Sequence, residues 1–254
     1  MALFTDGPIS SIEDLRGYDT QLTDVASVEG IDVTRKLALA QNEIAVEVTA
    51  LLRKLLPYRD QFVPSAAYPG IDRVVVTPPL KLWHTYRALE MVYRDAYYSQ
   101  LNDRYASRRD EYHGMALWAR DKTVQGGLGM AADPIPQAAT PSVSAVSGAL
   151  ADGTYYVGMT WGNASGEEGA CSIPAKITTA GQTIQVQAGA APANAAGWNV
   201  YMGSDPGALL RQNGAVLSLG SVWVQPNALA NGKPAGTGQT PGYIEAIARL
   251  IERG

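Results

Sequence analysis

ALEMVYRDAYYSQLNDRYASRRDEY, residues 88–112, holds five tyrosines; Tyr86 just before it makes six of the chain's thirteen, against two phenylalanines in all. The stretch decides the fold because it contains two helical patterns and the break between them. Upstream, Thr77 followed by Pro78 and Pro79 is a helix start: a cap residue, then proline where no donor is needed. The helix so opened runs to about Gln100, with Leu82, Tyr86, Leu89, Tyr93 and Tyr97 on one stripe. Residues 101–103 make a short break. Asp103 then caps a further helix to about Val124, on which Tyr105, Tyr112, Ala116 and Ala119 share a face. So short a break folds the two helices into an antiparallel hairpin. The glycines at 126, 127 and 129 stop the second helix and begin a linker.

Working outward toward the N-terminus, Ser10 or Ser11 caps a short helix with Glu13 and Asp14 in its first turn, where the macrodipole favours acids. Asp32 caps a long helix over about 33–56. Val33, Leu37, Ala40, Ile44, Val48, Leu51, Leu52 and Leu55 recur there in steps of three and four. Pro57 ends it. A non-helical connection follows up to Pro79, with a short strand at 74–76.

From about Thr140 the period changes to two. In GTYYVGMTW (153–161), Tyr155, Val157, Met159 and Trp161 alternate with Tyr156, Gly158 and Thr160. Ile184 and Val186 alternate with glutamines, and Trp198, Val200 and Met202 share a side. About seven short strands separated by Gly, Pro and Asn predict an antiparallel β-sandwich of immunoglobulin or fibronectin type III character. The expected class is α+β and multidomain.

Charge follows the same division. Residues 1–133 carry 15 Lys/Arg and 18 Asp/Glu, residues 134–239 only 3 and 4, and the last fifteen residues two of each. Either two domains follow one another with a tail, or the β domain is inserted into the helical one. Insertion is preferred, because TPGYIEAIARLIERG (240–254) is too short to be a stable helix alone. The expected layout is a helical core over 1–133, an inserted β domain over 138–238, and a returning C-terminal helix over 240–254.

Composition excludes several classes. A hydrophobic content of 46% supports a packed core, and a net charge of -4 advertises no general affinity for nucleic acid. The one cysteine, Cys171, reads as a small buried hydrophobe. MALFTDGPISSIEDL lacks a basic region and an apolar run, so synthesis in the cytoplasm without a standard export signal is expected. No apolar run is long enough for a membrane span.

Catalytic signals are few. His84 and His113 lie on different helices without ligands at metal spacing, and His84 beside Trp83 reads as a helix-surface residue. No phosphate-binding loop or nucleophile elbow occurs. Adjacent acids such as Asp110 and Glu111 diverge on a helix. No enzyme activity, metal or cofactor is expected. Arg104, Arg108 and Arg109 interleave with Tyr105 and Tyr112, but Asp103, Asp110 and Glu111 are woven among them, which favours solvated or intersubunit ion pairs over phosphate binding.

The tyrosines admit two readings. They pack inside one chain with hydroxyls at the rim, or they meet a neighbouring chain, where Tyr and Arg are enriched. The second is preferred. It makes Tyr86, Tyr93, Tyr97, Arg104, Tyr105, Arg108, Arg109 and Tyr112 the candidate subunit interface.

DVTRKLALAQNEIAVEVTALL (32–52), PPLKLWHTYRALEMVYRDAY (78–97) and NDRYASRRDEYHGMALWARD (102–121) together resemble the helical core of tailed-bacteriophage head-to-tail adaptor, or connector, proteins. The likeness covers about residues 28–125. TYYVGMTWGNASGEEGACS (154–172) and GWNVYMGSDPGALLRQ (197–212) resemble the fibronectin-like modules of virion proteins, an insertion that the simplest adaptors lack. The resemblance implies a structural virion protein at the head–tail junction, made in the bacterial cytoplasm. It implies a homo-oligomeric ring, usually of twelve copies, docked under the portal protein. That ring extends the DNA channel, lets DNA pass without sequence-specific binding, and receives later tail-terminator or nozzle proteins. In such proteins the C-terminal segment commonly reaches into the portal. Here Tyr243, Ile247, Leu250 and Ile251 share one helical face, which either docks the portal or packs back on its own helices. The competing expectation is a tail, baseplate or decoration protein whose β domain binds a host surface or carbohydrate. Its sign would be an exposed Trp161, Trp198 or Trp223.

Overall fold

The computed structural model describes residues 1–55, 70–100, 103–235 and 238–244. The fold is mixed α+β. The chain divides into two compact units, one of Gly7–Met130 with Gly242–Gly254, the other of Met1–Asp6 with Ala131–Pro241.

The helical unit opens with α1 (Ile12–Tyr18). Ser11 Oγ accepts from the Asp14 backbone N–H, and Asp14 Oδ2 accepts from that of Ser11, a reciprocal cap that satisfies two orphan donors. Helix α2 (Leu22–Val28) follows, then α3 (Val33–Leu55). Asp32 Oδ1 accepts the Arg35 N–H at 3.0 Å and starts α3. Its stripe of Val33, Leu37, Ala40, Ile44, Val48 and Leu52 is buried, and Arg53 and Lys54 complement the dipole in its last turn. The expected end at Pro57 and most of the connection after it lie outside the described residues.

Helix α4 (Pro78–Gln100) is the centre of the unit. Leu80, Trp83, His84, Thr85, Tyr86, Ala88, Leu89, Met91, Val92, Tyr93 and Ala96 are all buried. Those positions go right round the helix, so α4 has no single apolar stripe. The expected break at Leu101 and Asn102 lies outside the described residues. Asp103–Tyr105 forms a 3-10 turn, and α5 (Ala106–Gln125) follows. Its buried residues include Ala116 and Ala119, whose small side chains permit close approach of α4 and α5. Residues 90, 93 and 97 of α4 meet residues 113, 112 and 109 of α5, so the two helices run in opposite senses where they touch.

After Gly127, which takes φ +82°, the linker expected at 126–129 instead enters strand β1 (Leu128–Met130). Val75 N–H donates to Gly129 O at 2.9 Å, and Val74 forms a bridge with Met130 in place of the expected strand at 74–76.

The other unit has two antiparallel sheets. β2 (Ser142–Ser147), β5 (Gln182–Gln187) and β8 (Val222–Val224) form one, in the order β2-β5-β8. β4 (Ala175–Thr179), β3 (Gly153–Asn163), β6 (Ala195–Gly203) and β7 (Leu210–Arg211) form the other, in the order β4-β3-β6-β7. The alternating residues meet in one core: Tyr155, Val157, Met159 and Trp161 from β3, Ile184 and Val186 from β5, Trp198, Val200 and Met202 from β6.

Two expectations about layout are corrected. Met1–Asp6 belongs with the β unit, not with a helical core over 1–133. The Met1 ammonium donates to Gln239 O, Gln239 N–H returns a bond to Met1 O at 2.9 Å, and Asp6 Oδ1 accepts from Gln137 N–H at 2.7 Å. Tyr243 lies not on a helix but in β9 (Gly242–Ile244), which pairs antiparallel with β1 and sets Gly129 opposite Tyr243. Residues 245–254 lie outside the described residues.

Candidate functional site

The tyrosines of α4 and α5 converge on the acids of the first two helices. Asp19 caps the C-terminus of α1 and is buried. A buried carboxylate needs several donors. Its Oδ2 accepts the Tyr93 hydroxyl at 2.6 Å and the Tyr112 hydroxyl at 3.0 Å, and its Oδ1 accepts Gln21 N–H at 2.9 Å. The Tyr93 and Tyr112 rings stack 5.6 Å apart, with Tyr105 tilted 6.1 Å from Tyr93. Burial, then the Asp19 carboxylate, pushes both phenols well above their ordinary ionisation range. Tyr105 donates to Glu29 Oε1 at 2.9 Å, and Ser99 donates to Glu29 Oε2 at 2.7 Å. These two bonds hold the Glu29 carboxyl below the usual range. Tyr86 meets Tyr18 edge-on at 5.2 Å.

Four of the expected interface residues are therefore interior. Tyr86, Tyr93, Tyr105 and Tyr112 are buried within one chain, Tyr93 and Tyr112 at 2% exposure. The cause is the carboxylates of Asp19 and Glu29, which receive three of the four hydroxyls inside the unit. The other four reach the surface. Tyr97 is half-buried beneath the Arg109 guanidinium, 4.5 Å from its ring centre. Arg109 also pairs with Asp110, Arg108 with Glu111 at 3.1 Å, and Arg104 lies over the Tyr105 ring and donates to its hydroxyl. Arg108 and Arg109 thus pair first with acids of their own helix.

Of the expected docking residues, Tyr243 is half exposed on β9, while Ile247, Leu250 and Ile251 lie outside the described residues.

His84 corrects another expectation. It is completely buried, and its Nε2 donates to Leu37 O at 3.0 Å across α3 and α4. Its Nδ1 has no partner among the described residues. His113 is exposed, with Nδ1 3.1 Å from Glu90 Oε1, while Glu90 Oε2 accepts from Arg87 at 2.6 Å. Among the described residues no three His, Cys, Asp or Glu side chains group as metal ligands, and no helix is long and apolar enough to cross a membrane. Cys171 is half-buried; burial, then Glu168, pushes its thiol up to about 11. Trp161 and Trp198 are buried, and Trp223 packs against the core of the β unit, so these rings offer no open aromatic platform.

Two surface features of the helical unit were not singled out from the sequence. One is a groove of about 590 Å³ between the start of α3 and the last turns of α4, lined by Glu29, Ile31, Arg35, Leu39, Asp95 and Tyr98 among others. The other is the pair Leu117 and Trp118 on α5, 46% and 52% exposed. The second had a signal: assigning Ala116 and Ala119 to the buried face of α5 leaves Leu117 and Trp118 on the other.

No family model, curated protein or solved structure matches the chain.

Proposed function

We propose that the chain is a structural virion protein, a head-to-tail adaptor that forms a ring beneath the portal. By its resemblance the ring has twelve copies, extends the DNA channel and gives later tail components a platform. The α4–α5 pair is its helix hairpin. The two sheets are an inserted sandwich of immunoglobulin or fibronectin kind, three strands on four.

The observation that carries this reading is the way the chain leaves and re-enters the helical unit. β9 lies antiparallel on β1 with Met130 opposite Gly242, so the chain returns to the helical unit where it departed. An adaptor needs that route for a C-terminal segment offered to the portal. The helical unit supports the reading in a second way, since it has two different surface features, a groove and a ridge, and a closed ring requires two complementary faces per copy. The competing host-binding reading loses its aromatic platform with the burial of Trp161 and Trp198.

Negative-stain imaging and native mass spectrometry of the purified chain mixed with its portal protein test the proposal. Rings bound to the portal are expected. A chain that stays monomeric and does not bind the portal overturns it.

A further inference from the structure

We propose that Leu117 and Trp118 of one copy seat in the groove between α3 and α4 of the next, forming the head-to-tail contact of the assembly. The inference rests on the ring reading and names the residues of its lateral contact.

Adjacent residues on a helix point about 100° apart. Leu117 and Trp118 therefore diverge on the exposed side of α5, and the proposed contact takes Trp118 as its anchor, or wedge, with Leu117 beside it. Trp118 is the more telling of the two, because tryptophan is enriched among the residues that anchor protein interfaces and leucine is not. The groove gives that wedge apolar walls in Ile31, Leu39 and Tyr98; Leu39 and Tyr98 are themselves exposed.

Charge selects the occupant. The wedge is followed on α5 by Asp121 and Lys122, both exposed. The groove carries Arg35 and Lys36 with the acids Glu29, Asp32 and Asp95, of which Asp95 is paired with Lys36. Arg35 is exposed and has no acidic partner among the described residues, so it is available to Asp121 of the neighbour, which in its own chain lies 3.6 Å from Arg120. Among the described residues Lys122 bonds the amide of Gln125 within its own helix and no acid, which leaves its charge for Glu29. Asp121 and Lys122 beside the wedge thus answer Arg35 and Glu29 of the groove. A second copy of this chain supplies that pattern. Wedge and groove are different surfaces, so the contact is heterologous: each copy offers one of each, and repetition builds a ring.

Two full-length variants test the contact. Trp118→Glu removes the wedge and Leu39→Glu puts a charge in the groove. Both sites are exposed, so helical circular dichroism and thermal midpoint should match the parent. Sedimentation velocity and native mass spectrometry at high concentration should find the parent self-associating, and each variant weakened by about tenfold or more. Mixed in equal amounts, the variants should form one dimer and stop there, because a single intact wedge then meets a single intact groove. A parent-like Trp118→Glu, or a mixture that stays monomeric, overturns the contact. Should either variant misfold, Trp118→Ser with Leu39→Ser puts the same question. Rings that persist in Trp118→Glu sink the contact and leave the ring reading standing. A parent that never associates, alone or with portal, sinks both.

Discussion

Tyr93 and Tyr112 face each other across α4 and α5 and donate hydroxyl hydrogen bonds to the same atom, Asp19 Oδ2. The two bonds are thus not independent: each helps to hold a carboxylate that the fold has taken out of water. Tyr93→Phe should cost about 1.5–3 kcal/mol, the range for a hydrogen bond to a charged group. The double variant Tyr93→Phe/Tyr112→Phe should cost more than the two singles together, since only then does Oδ2 lose both donors. Urea unfolding followed by far-ultraviolet circular dichroism measures this, and strict additivity would contradict a shared acceptor.

His84 makes stability depend on pH. Its ordinary value is 6.5; burial lowers it in the folded chain, against the opposing effects of the Leu37 carbonyl and Asp14. Between the lowered value and 6.5 the unfolded chain binds a proton that the folded chain does not, so stability rises with pH. The contribution is complete above about 6.5 and is lost as the pH falls toward the folded value. Comparing unfolding free energies at about pH 7 and pH 5, where histidine changes charge, the parent should lose more than His84→Gln. Equal losses would mean that the ring takes up its proton as readily in the folded chain as in the unfolded one.

The helices were legible because their signals are local. Asp32 and Thr77–Pro78 mark starts, and the stripe from Val33 to Leu52 marks a face. What was hidden depends on distant partners. Three residues with a glycine at their centre, Leu128–Met130, carry little strand signal of their own; they become β1 by pairing with residues 242–244, far along the chain. The first six residues join the β unit through Gln137 and Gln239, equally remote. The direction of the tyrosines depended on whether carboxylates waited inside, and Asp19 and Glu29 look in the sequence like ordinary acids at helix ends. His84 was misread for a related reason: a helix surrounded by neighbours buries polar residues that a one-sided helix would expose.

In the β unit, Gly197 has no room for a side chain. A Cβ there would lie 2.4 Å from Val216 Cγ1 and 2.6 Å from Leu217 O, next to the paired backbones of Trp198 and Leu217. The carbonyl cannot rotate aside without breaking that pair. Gly197→Ala should therefore destabilise the β unit by about 1–3 kcal/mol, the usual cost of overpacking. Gly189→Ala, where a Cβ meets nothing within 4 Å, should fall within about 0.5 kcal/mol of the parent. Near-ultraviolet dichroism during thermal unfolding reports on the tryptophan-rich core. Equal midpoints for the two variants would show that the strand shifts to make room.

Excision tests the relation of the helical unit to the intervening chain. Met130 and Gly242 are opposite each other at the open end of the β1–β9 pair. Antiparallel strands so placed can be closed by two residues, and Asn-Gly suits the required turn. Residues 131–241 can be replaced by that dipeptide without lengthening either strand. The N-terminal six residues lose their partners in this chain, because their hydrogen bonds run to Gln137 and Gln239; they should be trimmed as well. The shortened protein should keep the helical dichroism of α1–α5 and unfold cooperatively. Conversely, removing residues 1–6 from the full chain should lower the midpoint of the β unit, because Leu3 and Phe4 are buried and Asp6 holds Gln137. If the excised chain loses its helical signal, the helical unit needs the β unit to fold, and the insertion is not a separable module.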